Sequence, residues 1–590
     1  MLDLLLLALA LWVGAHLRRD SVARGRAPRL ALLSAAAPPL AALLGRLGGL
    51  ALASSPAPLD LGVGLLGLGA AHAPTAQVVS VSAAALALNL AAWLVSARPR
   101  EGAAGSPPSL RLLLAAALPL SALMWLLCLN VACFGDGTLG GPNQLALLAA
   151  AGLAAALGAR EGVSVEDCLG GVRRAVADTL EPLLILLLIG ALSGTWLLCG
   201  VVPAMIDYGL ALLAPSYFLV ATCALCALVS LASGSSWSTV ATVGVALMGV
   251  GQALGFSPAL CAGAIISGAY FGDKLSPLSD TTNLAPAMAG GELFAHIRAM
   301  LHTTAPTFAV TLLAFAALGL GAGEGVEVGR AEEVRAALRE EVWIHPSLFV
   351  VPGLVALMIA RRLPTIPTLA AGAAFGGLVA LWAQPELVAR VGGGEGLRAG
   401  FMGVVSALGH KIELGARDPM VAELLKSKGM EGMLGTVWLI LCALVFGGVM
   451  ERVGALARIS GALLRLARTD RDLVLTTGAT SLFLNATASD QYLAIVVPGR
   501  MYREAYEERG LAPEALSRTL EDCATVTSVL IPWNTCGAMQ ASVLGVATLA
   551  YAPFCVFCWL SPLVTGLFAV MGWRQPRRAA TLPPAPERAA

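Results

Sequence analysis

The sequence predicts an all-α membrane protein that crosses the bilayer many times, and three observations lead to this fold class. Only 13% of its 590 residues are charged, about half the share found in soluble globular proteins, and 57% are hydrophobic. Residues 182–206, 208–272 and 523–573 contain no Asp, Glu, Lys, Arg or His. Because about 20 apolar residues cross a bilayer as a helix, the two longest runs can each hold two or three crossings or re-entrant segments. No segment has the alternating pattern of a β-strand.

Residues 1–100 are predicted to form a hydrophobic extension with about three membrane helices. The chain begins with the acidic stretch MLDLLLLALA, and basic residues follow between Arg18 and Arg29, which is the reverse of a signal peptide. We therefore interpret the first segment as a membrane helix whose C-terminal end faces the cytoplasm. The stretch RPREGAAGSPPS at 98–109 is predicted to be a linker.

Polar segments divide the rest of the chain into two membrane blocks. We predict a first repeat at 108–323, a charged linker with connecting membrane helices at 324–400, a second repeat at 401–575 and a Pro/Ala-rich tail at 576–590. We expect roughly 10–11 crossings in this core. Within the first repeat, residues 160–181 have the spacing of an amphipathic surface helix.

A weak internal echo connects the two blocks. GFSPALCAGAIISGAYFGDKLSP begins at Gly255, and GLAPEALSRTLEDCATVTSVLIP begins at Gly510. The shared Gly, Pro, Leu and Pro positions are 255 residues apart (510 − 255 = 255). Two proline-interrupted apolar segments in corresponding places indicate the binding site of a secondary transporter.

The first proline-interrupted segment continues into LSDTTNLAP and contains the main candidates for a cation site. An ionised carboxylate such as Asp273 or Asp280 is costly in a bilayer unless it is paired or hydrated. Pro277 breaks the helix and frees backbone carbonyls, and a carboxylate with neutral oxygens suits Na⁺ or, alternatively, a proton. The alternative is a solvated polar loop outside the membrane. The neutral oxygens come from Thr281, Thr282 and Asn283.

Three further polar clusters interrupt apolar sequence. SGSSWSTVATVG at 233–244 could instead serve close helix packing. LFLNATASDQYLAIVVPGRM at 482–501 has the composition of a re-entrant tip, with a short turn outside the membrane as the alternative. In RTLEDCATVTSVLIPWNTCGA at 518–538, the acidic pair is alternatively a solvated helix end. The candidate residues are Ser236, Asn485, Asp490, Asn534 and Thr535, with Pro532, Glu521 and Asp522 in supporting roles.

At these clusters the sequence resembles the NhaC family of Na⁺/H⁺ antiporters. The matching stretches include AGAIISGAYFGDKLSPLSDTTNLAPAMAG at 262–290 and LSRTLEDCATVTSVLIPWNTCGA at 516–538. Others lie at 188–210, 234–255 and 490–506, so that the resemblance covers about 108–575. The chain departs from the family pattern at Asp207, Cys523, Ala524 and Val529, which leaves ion stoichiometry and the coupled solute open.

This resemblance implies a transporter of the bacterial inner membrane with two inverted repeats, broken helices and re-entrant hairpins that meet at a central site. Asp280 would bind the transported Na⁺ or H⁺, helped by the neutral oxygens, while Asp273 and Lys274 would pair with each other. Na⁺, H⁺ and the bilayer are the expected partners; no cofactor is expected, and a homodimer is left open. A net charge of +1 gives no electrostatic case for nucleic acid.

Three other functions are alternatives. The chain could instead exchange small organic anions such as malate or lactate, or amino acids, with Na⁺ and H⁺ coupling, and Lys274 would then hold the carboxylates of the solute. An intramembrane aspartyl protease is disfavoured, because Tyr270 stands where a GxGD motif needs its first glycine. We therefore expect no enzyme. A membrane scaffold would leave the polar clusters unexplained.

Overall fold

The computed structural model describes residues 110–573 apart from 135–137, 139, 323–327 and 362, together with residues 86, 87, 89, 90, 576 and 577. The predicted N-terminal extension at 1–100, the linker at 98–109 and the tail at 576–590 lie almost wholly outside the described residues. Their predicted helices therefore stay predictions.

The first block consists of helices, as predicted, and several of them are short segments separated by breaks. Its helices are α1 (Leu110–Phe134), α2 (Pro142–Ala159), α3 (Val165–Asp178), α4 (Leu180–Leu198), α5 (Val201–Leu212), α6 (Pro215–Ser233), α7 (Ser236–Thr239), the π-helical turn π1 (Val240–Gly244), α8 (Val245–Ala253), α9 (Pro258–Leu275), α10 (Asp280–Ala289) and α11 (Leu293–Ala322).

The middle section connects the blocks and contains the chain's described β-structure. Two short strands pair antiparallel there, a feature that the sequence pattern did not predict because each strand has two residues. The elements are α12 (Val328–Glu341), a 3₁₀ turn (Pro346–Phe349), α13 (Val350–Ala360), α14 (Thr365–Ala383), α15 (Pro385–Gly392), α16 (Gly396–Gly409), β1 (Ile412–Glu413), α17 (Pro419–Leu424), β2 (Lys426–Ser427) and a 3₁₀ turn (Glu431–Met433).

The second block repeats the broken helices of the first. Its elements are α18 (Leu434–Arg452), α19 (Ala455–Leu464), α20 (Asp470–Thr487), α21 (Gln491–Glu508), α22 (Pro513–Leu520), the π-helical turn π2 (Glu521–Thr525), a 3₁₀ turn (Ser528–Leu530), α23 (Thr535–Leu544), α24 (Thr548–Tyr551), a 3₁₀ turn (Ala552–Phe554) and α25 (Val556–Met571).

The element boundaries of the two blocks coincide at the offset that the sequence echo indicated. Helices α6, α9 and α10 begin at residues 215, 258 and 280, and α20, α22 and α23 begin at 470, 513 and 535 (470 − 215 = 255, 513 − 258 = 255, 535 − 280 = 255). The breaks after α9 and α22 therefore fall at equivalent positions, and so do those after α6 and α20. This agreement over more than 70 residues (290 − 215 = 75) supports two structural repeats; their inverted orientation and the outer repeat boundaries stay predictions.

The first break of each repeat has the same backbone geometry. Gly234 and Ser489 both adopt a left-handed conformation, with φ of 71° and 61°. Each is followed by a residue that caps the next helix, because Ser235 accepts from the N–H of Ser238 and Asp490 accepts from the N–H of Leu493. A positive φ is uncommon for a residue with a side chain. Its persistence at Ser489 shows that the break itself is the feature shared by the two repeats.

The described residues contain seven helices that are long and apolar enough to cross a membrane, or up to nine if each bent pair counts as one crossing. Four shorter apolar helices of 10–17 residues occur as well. The expected 10–11 crossings therefore stay a prediction. Large apolar side chains such as Leu313 and Leu378 are exposed on the outer surface, as expected for contact with lipid. The protein is therefore a multi-pass membrane protein.

Helix α9 packs against α6 with its backbone in direct contact, which fixes the position of its C-terminal charges. A Cβ added at Gly268 would overlap the carbonyl oxygen of Cys223, and one added at Gly272 would overlap that of Ala227. Small residues permit this close approach in membrane proteins, where van der Waals packing holds helices together.

Asp207, one of the departures from the family pattern, connects the middle section to the first block. Its fully buried carboxylate on α5 accepts from Arg339 Nε at 3.0 Å and Nη2 at 2.8 Å, and from Arg335 Nε at 3.2 Å. Both arginines lie on α12. The additional carboxylate therefore has a structural partner in the charged linker.

Candidate ion-binding site

Asp273 lies in the last turn of α9, at the edge of the break between α9 and α10. It is buried, and its Oδ2 atom accepts from the backbone N–H of Ser236 at 3.1 Å and from the Ser236 hydroxyl at 2.6 Å. Ser236 is the first residue of α7, directly after the break that follows α6. The carboxylate therefore connects the two breaks of the first repeat.

Thr282 and Asn283 hold the break after α9 in shape. The Thr282 hydroxyl donates to the carbonyl oxygens of Asp273 at 3.2 Å and of Lys274 at 3.0 Å, in the last turn of α9. Asn283 Nδ2 donates to the carbonyls of Pro277 at 3.0 Å and Ser279 at 2.7 Å. These two residues satisfy freed backbone groups, as Ser and Thr commonly do in broken membrane helices.

Asp280 occupies a different environment from Asp273. It is the first residue of α10 and is exposed, and it makes no hydrogen bond or ion pair with other described residues. It remains within electrostatic range of Asp273. Its neighbour Thr281 is buried and shares a hydrogen bond with the Ser279 hydroxyl at 3.2 Å. Asp280 thus lies at the exposed edge of the break and Asp273 at its buried edge.

The expected pairing of Lys274 with Asp273 is wrong. Lys274 is fully buried and its ammonium forms an ion pair with Asp522 of π2. Successive residues of an α-helix project about 100° apart, so Asp273 and Lys274 face different neighbours. The ammonium also donates to the Ser561 hydroxyl at 3.1 Å and lies 5.6 Å from the centre of the Phe557 ring.

Asp522 is surrounded by donors from three elements. Its Oδ1 accepts from Lys274 and from Ser561 at 3.0 Å, and its Oδ2 accepts from Thr303 at 2.9 Å and from Thr565. Thr303 lies on α11, and the other two hydroxyls lie on α25. The predicted alternative of a solvated helix end is therefore excluded for this residue, whose side chain is fully buried.

Glu521 is buried beside Asp522 but has a different environment. Neither of its carboxylate oxygens accepts a hydrogen bond of regular geometry from a described residue, and the Thr525 hydroxyl of the same turn is a weak donor. The side chain is fully buried and lies within electrostatic range of Lys274, Asp273 and Asp522. Asp522 thus has hydrogen-bond donors at both carboxylate oxygens, whereas Glu521 has almost none.

The break of the second repeat brings Asn485 and Asn534 together. Asn485 Nδ2 donates to the Ala524 carbonyl at 2.6 Å and to the Thr527 hydroxyl at 3.0 Å, and Asn534 Nδ2 donates to the Asn485 carbonyl at 3.1 Å. The backbone N–H of Thr535 donates to the Ser489 carbonyl at 3.0 Å. Both breaks of this repeat, including the one at Pro532, therefore meet as those of the first repeat do.

Gln491 and Ser528 were not selected from the sequence, although the offset of the echo identifies them. They stand at the positions equivalent to Ser236 and Asp273 (491 − 236 = 255, 528 − 273 = 255). The Ser528 hydroxyl is 3.4 Å from Gln491 Oε1, so the contact between the two breaks is kept, with a neutral residue in place of the carboxylate. In the first repeat a carboxylate, Asp273, makes this contact between the two breaks, and in the second repeat a neutral residue, Ser528, makes it.

Carboxylates from both repeats approach one tyrosine. Tyr492, the second residue of α21, lies within electrostatic range of Asp273, Asp280 and Asp490. Asp490 is buried, and its Oδ1 atom accepts from the N–H of Leu493 at 2.9 Å. The described residues hold no group of three or more His, Cys, Asp or Glu side chains that could hold a metal ion, so a cation here would depend largely on neutral oxygens.

The known proteins to which this chain is similar include several antiporters. The model of a family described as "Na+/H+ antiporter family" matches residues 268–573. The chain is 35% identical over 396 residues to the Na⁺/H⁺ antiporter NhaC of Alkalihalophilus pseudofirmus, an alignment that covers 67% of this chain and 82% of that protein. It is 34% identical over 433 residues to the malate-2H⁺/Na⁺-lactate antiporter of Bacillus subtilis, covering 73% and 89%. It is 31% identical over 417 residues to the arginine/ornithine antiporter ArcD of Halobacterium salinarum, covering 70% and 83%.

Proposed function

Because this chain belongs to the NhaC family of Na⁺/H⁺ antiporters, we propose that it exchanges Na⁺ for H⁺ across the membrane and that Asp273 is the carboxylate that receives Na⁺. The observation that carries this assignment is the buried Asp273 carboxylate between two helix breaks, held by the N–H and hydroxyl of Ser236. These two donors stabilise its ionised form, which is the form that binds a cation.

The surrounding groups suit a small hard cation. Backbone carbonyls freed by the breaks, together with hydroxyl oxygens such as those of Ser236 and Ser279, are ligands of the type that Na⁺ and similar ions take. Thr282 and Asn283 support the site through the backbone that they hold. Asp280, at the exposed edge, would attract the ion from water, and Asn485, Asp490, Asn534 and Thr535 would form the facing side in the second repeat.

Alternating access would use the paired breaks. Broken helices at equivalent places in two repeats allow one segment to move against the other around a fixed site. The site would change sides when it is loaded with Na⁺ or with H⁺, and it would not change sides when it is empty. Net exchange then requires that Na⁺ and H⁺ are not carried together.

The alternative substrate class is a small organic anion or an amino acid, suggested by the malate/lactate and arginine/ornithine relatives. In that hypothesis Lys274 would hold a carboxylate of the solute. Its ammonium is already engaged by Asp522 and Ser561, deep between α9, π2 and α25. This occupation favours the inorganic cation, so we keep the organic anion as an outcome of the test below.

Everted vesicles with an imposed pH gradient test this function. Addition of Na⁺ should dissipate the gradient, and Asp273→Asn should abolish the response because the amide keeps the size of the side chain but loses its charge. Asp418→Asn makes the same change at an exposed residue of the middle section, where an amide oxygen can still cap α17, and it should leave exchange intact.

Two results would contradict the proposal. Normal Na⁺-dependent exchange by Asp273→Asn would remove the assignment of the ligand. A response that requires malate, lactate or an amino acid in addition to Na⁺ would favour the organic-anion alternative. Parallel additions of Li⁺ and K⁺ define the selectivity of the site.

A further inference from the structure

Glu521 differs from the other buried acidic residues around the site in having almost no donors, since the Thr525 hydroxyl of π2 is the nearby donor and its geometry is poor. Asp273 accepts from Ser236, Asp490 accepts from a backbone N–H, and Asp522 accepts from a lysine and three hydroxyls. Both oxygens of Glu521 are buried without a hydrogen bond of regular geometry from a described residue, and they have neither a cation nor a backbone N–H as donor. An ionised carboxylate in such a place carries the full desolvation cost, whereas a neutral carboxylic acid avoids most of it.

We propose that Glu521 carries the transported proton, at a position separate from the Na⁺ ligand Asp273. This inference rests on the proposed function and assigns its two ions to two carboxylates. The proton leaves Glu521 for water on one side of the membrane and is replaced by a proton from water on the other side. No covalent step and no further reactant is needed.

The charges that face Glu521 explain why it lacks a counter-ion. On α9, Lys274 is directed to Asp522 and Ser561, and Asp273 carries a like charge. On its own element, Asp522 is a second like charge, and the fully buried Arg518 of α22 lies within electrostatic range of Asp522.

Among the other elements packed against π2, α21 carries its cations, Arg500 and Arg503, at exposed positions. Helix α25 contains no charged residue, and α10 contributes Asp280. The hydroxyls of Tyr502 and Tyr506 on α21 are directed to Thr480 and Thr477 of α20, and the charged residues of α20 lie in its first turn. Bound protons are therefore the means of neutralising Glu521 that this environment offers.

Electrostatic interaction between the two carboxylates supplies the coupling. When Na⁺ leaves Asp273, its negative charge is no longer compensated, and ionisation of Glu521 becomes less favourable, so Glu521 holds its proton. When Na⁺ binds, the repulsion falls and Glu521 can release the proton. Such interactions are stronger inside a protein than in water because the effective dielectric constant is lower. Loading of one ion thus opposes loading of the other, which is the requirement for antiport.

The local backbone also distinguishes this position from its counterpart in the first repeat. Glu521 and Asp522 are equivalent to Ile266 and Ser267 (521 − 266 = 255, 522 − 267 = 255), which lie in regular α-helix. In the second repeat the same place is a π-helical turn, a feature found frequently at functional sites. The acidic pair and the altered backbone therefore occur together in one repeat.

Two transport measurements on reconstituted full-length protein separate the roles. Exchange of radioactive Na⁺ for unlabelled Na⁺ requires the Na⁺ site but no proton, whereas Na⁺-driven proton movement requires both. Glu521→Gln should keep Na⁺/Na⁺ exchange and reduce Na⁺-driven proton movement by about a hundredfold, an effect within the range for loss of a positioned proton-transfer group. Glu521→Asp retains a carboxyl group and should keep measurable proton movement.

Glu514→Gln is the matched control, because it makes the same change two turns earlier on α22 at a residue that is not fully buried. It should leave both activities unchanged. Unchanged proton movement in Glu521→Gln overturns the inference, and so does loss of Na⁺/Na⁺ exchange in a variant that is present in the membrane at wild-type amounts. If the wild-type protein itself moves no protons in response to Na⁺, the proposed function fails, and this is seen before any variant is compared.

Discussion

Disrupting the buried ion pair between Lys274 and Asp522 should destabilise the protein, and the contacts of each charge indicate by how much. Removing one partner of a buried pair typically costs about 3–5 kcal/mol because the other charge stays behind. In Asp522→Asn, the Lys274 ammonium keeps its hydrogen bond to the Ser561 hydroxyl and its contact with the Phe557 ring, but it loses its negatively charged partner. We therefore expect a loss near the upper end of this range.

Lys274→Met should cost less. The Asp522 carboxylate would keep hydrogen bonds from Ser561, Thr303 and Thr565, and hydrogen bonds to a charged group contribute about 1.5–3 kcal/mol each. The double variant Lys274→Met/Asp522→Asn leaves no buried charge and keeps an amide oxygen for the same hydroxyls. It should be more stable than either single variant, since neutral replacement of a buried pair is often tolerated.

The assay is the midpoint temperature for loss of monodisperse protein, measured by size-exclusion chromatography after heating in detergent. A loss of about 3 kcal/mol corresponds to roughly a hundredfold change in the folded-to-unfolded ratio, so the shifts should be large. Lys411→Met is a suitable control because its ion pair with Glu413 is exposed and such pairs contribute little. If the losses of the two single variants add in the double variant, the two charges are not coupled and the reasoning is refuted.

Three further predictions concern packing and surface charge. Gly268→Leu should abolish accumulation of folded protein because the side chain would overlap α6, whereas Gly152→Leu, which meets open space, should be tolerated; equal membrane yields would contradict this. Asp207→Ala should speed trypsin cleavage within α12 because Arg335 and Arg339 lose their contact with α5, and an unchanged digestion pattern would exclude that anchoring role. A serine hydroxyl and Arg452 lower the pKa of Asp167 from 3.8 to about 2, so their stabilisation is present above pH 3.8 and is lost as the pH falls to about 2. Arg452→Gln should therefore lower thermal stability at neutral pH, with a difference from wild type that narrows over that interval, and a difference independent of pH would argue against the contact.

The prediction of the broken segments depended on local features of the chain. Pro277 and Pro532 interrupt apolar sequence at equivalent places, and polar residues follow each of them. Proline removes a helical hydrogen bond wherever it stands in a helix interior. The break can therefore be predicted without knowing which helices surround it. The same offset, applied to Ser236 and Asp273, would also have identified Gln491 and Ser528.

The pairing of charges could not be predicted in this way. Lys274 is adjacent to Asp273 in sequence, yet its partner is Asp522, 248 residues away. Which way a side chain on a membrane helix points depends on the helices that surround it, and those contacts are non-local. For the same reason the sequence ranked Asp280 above Asp273 as the ion ligand, whereas the structure places Asp280 at an exposed edge and Asp273 in the interior.

By itself, the sequence determined that this protein is a polytopic helical membrane transporter with two related halves, because hydrophobic length, proline breaks and motif spacing are local properties of the chain. The tertiary structure decided which buried carboxylates have donors and which do not. Asp273, Asp522 and Glu521 are all acidic residues of apolar segments. The hydrogen bonds of the first two come from α7, α9, α11 and α25, whereas Glu521 has only a weak donor in Thr525. Desolvation and hydrogen bonding set the charge state of a buried group, and both arise from residues that are distant in sequence.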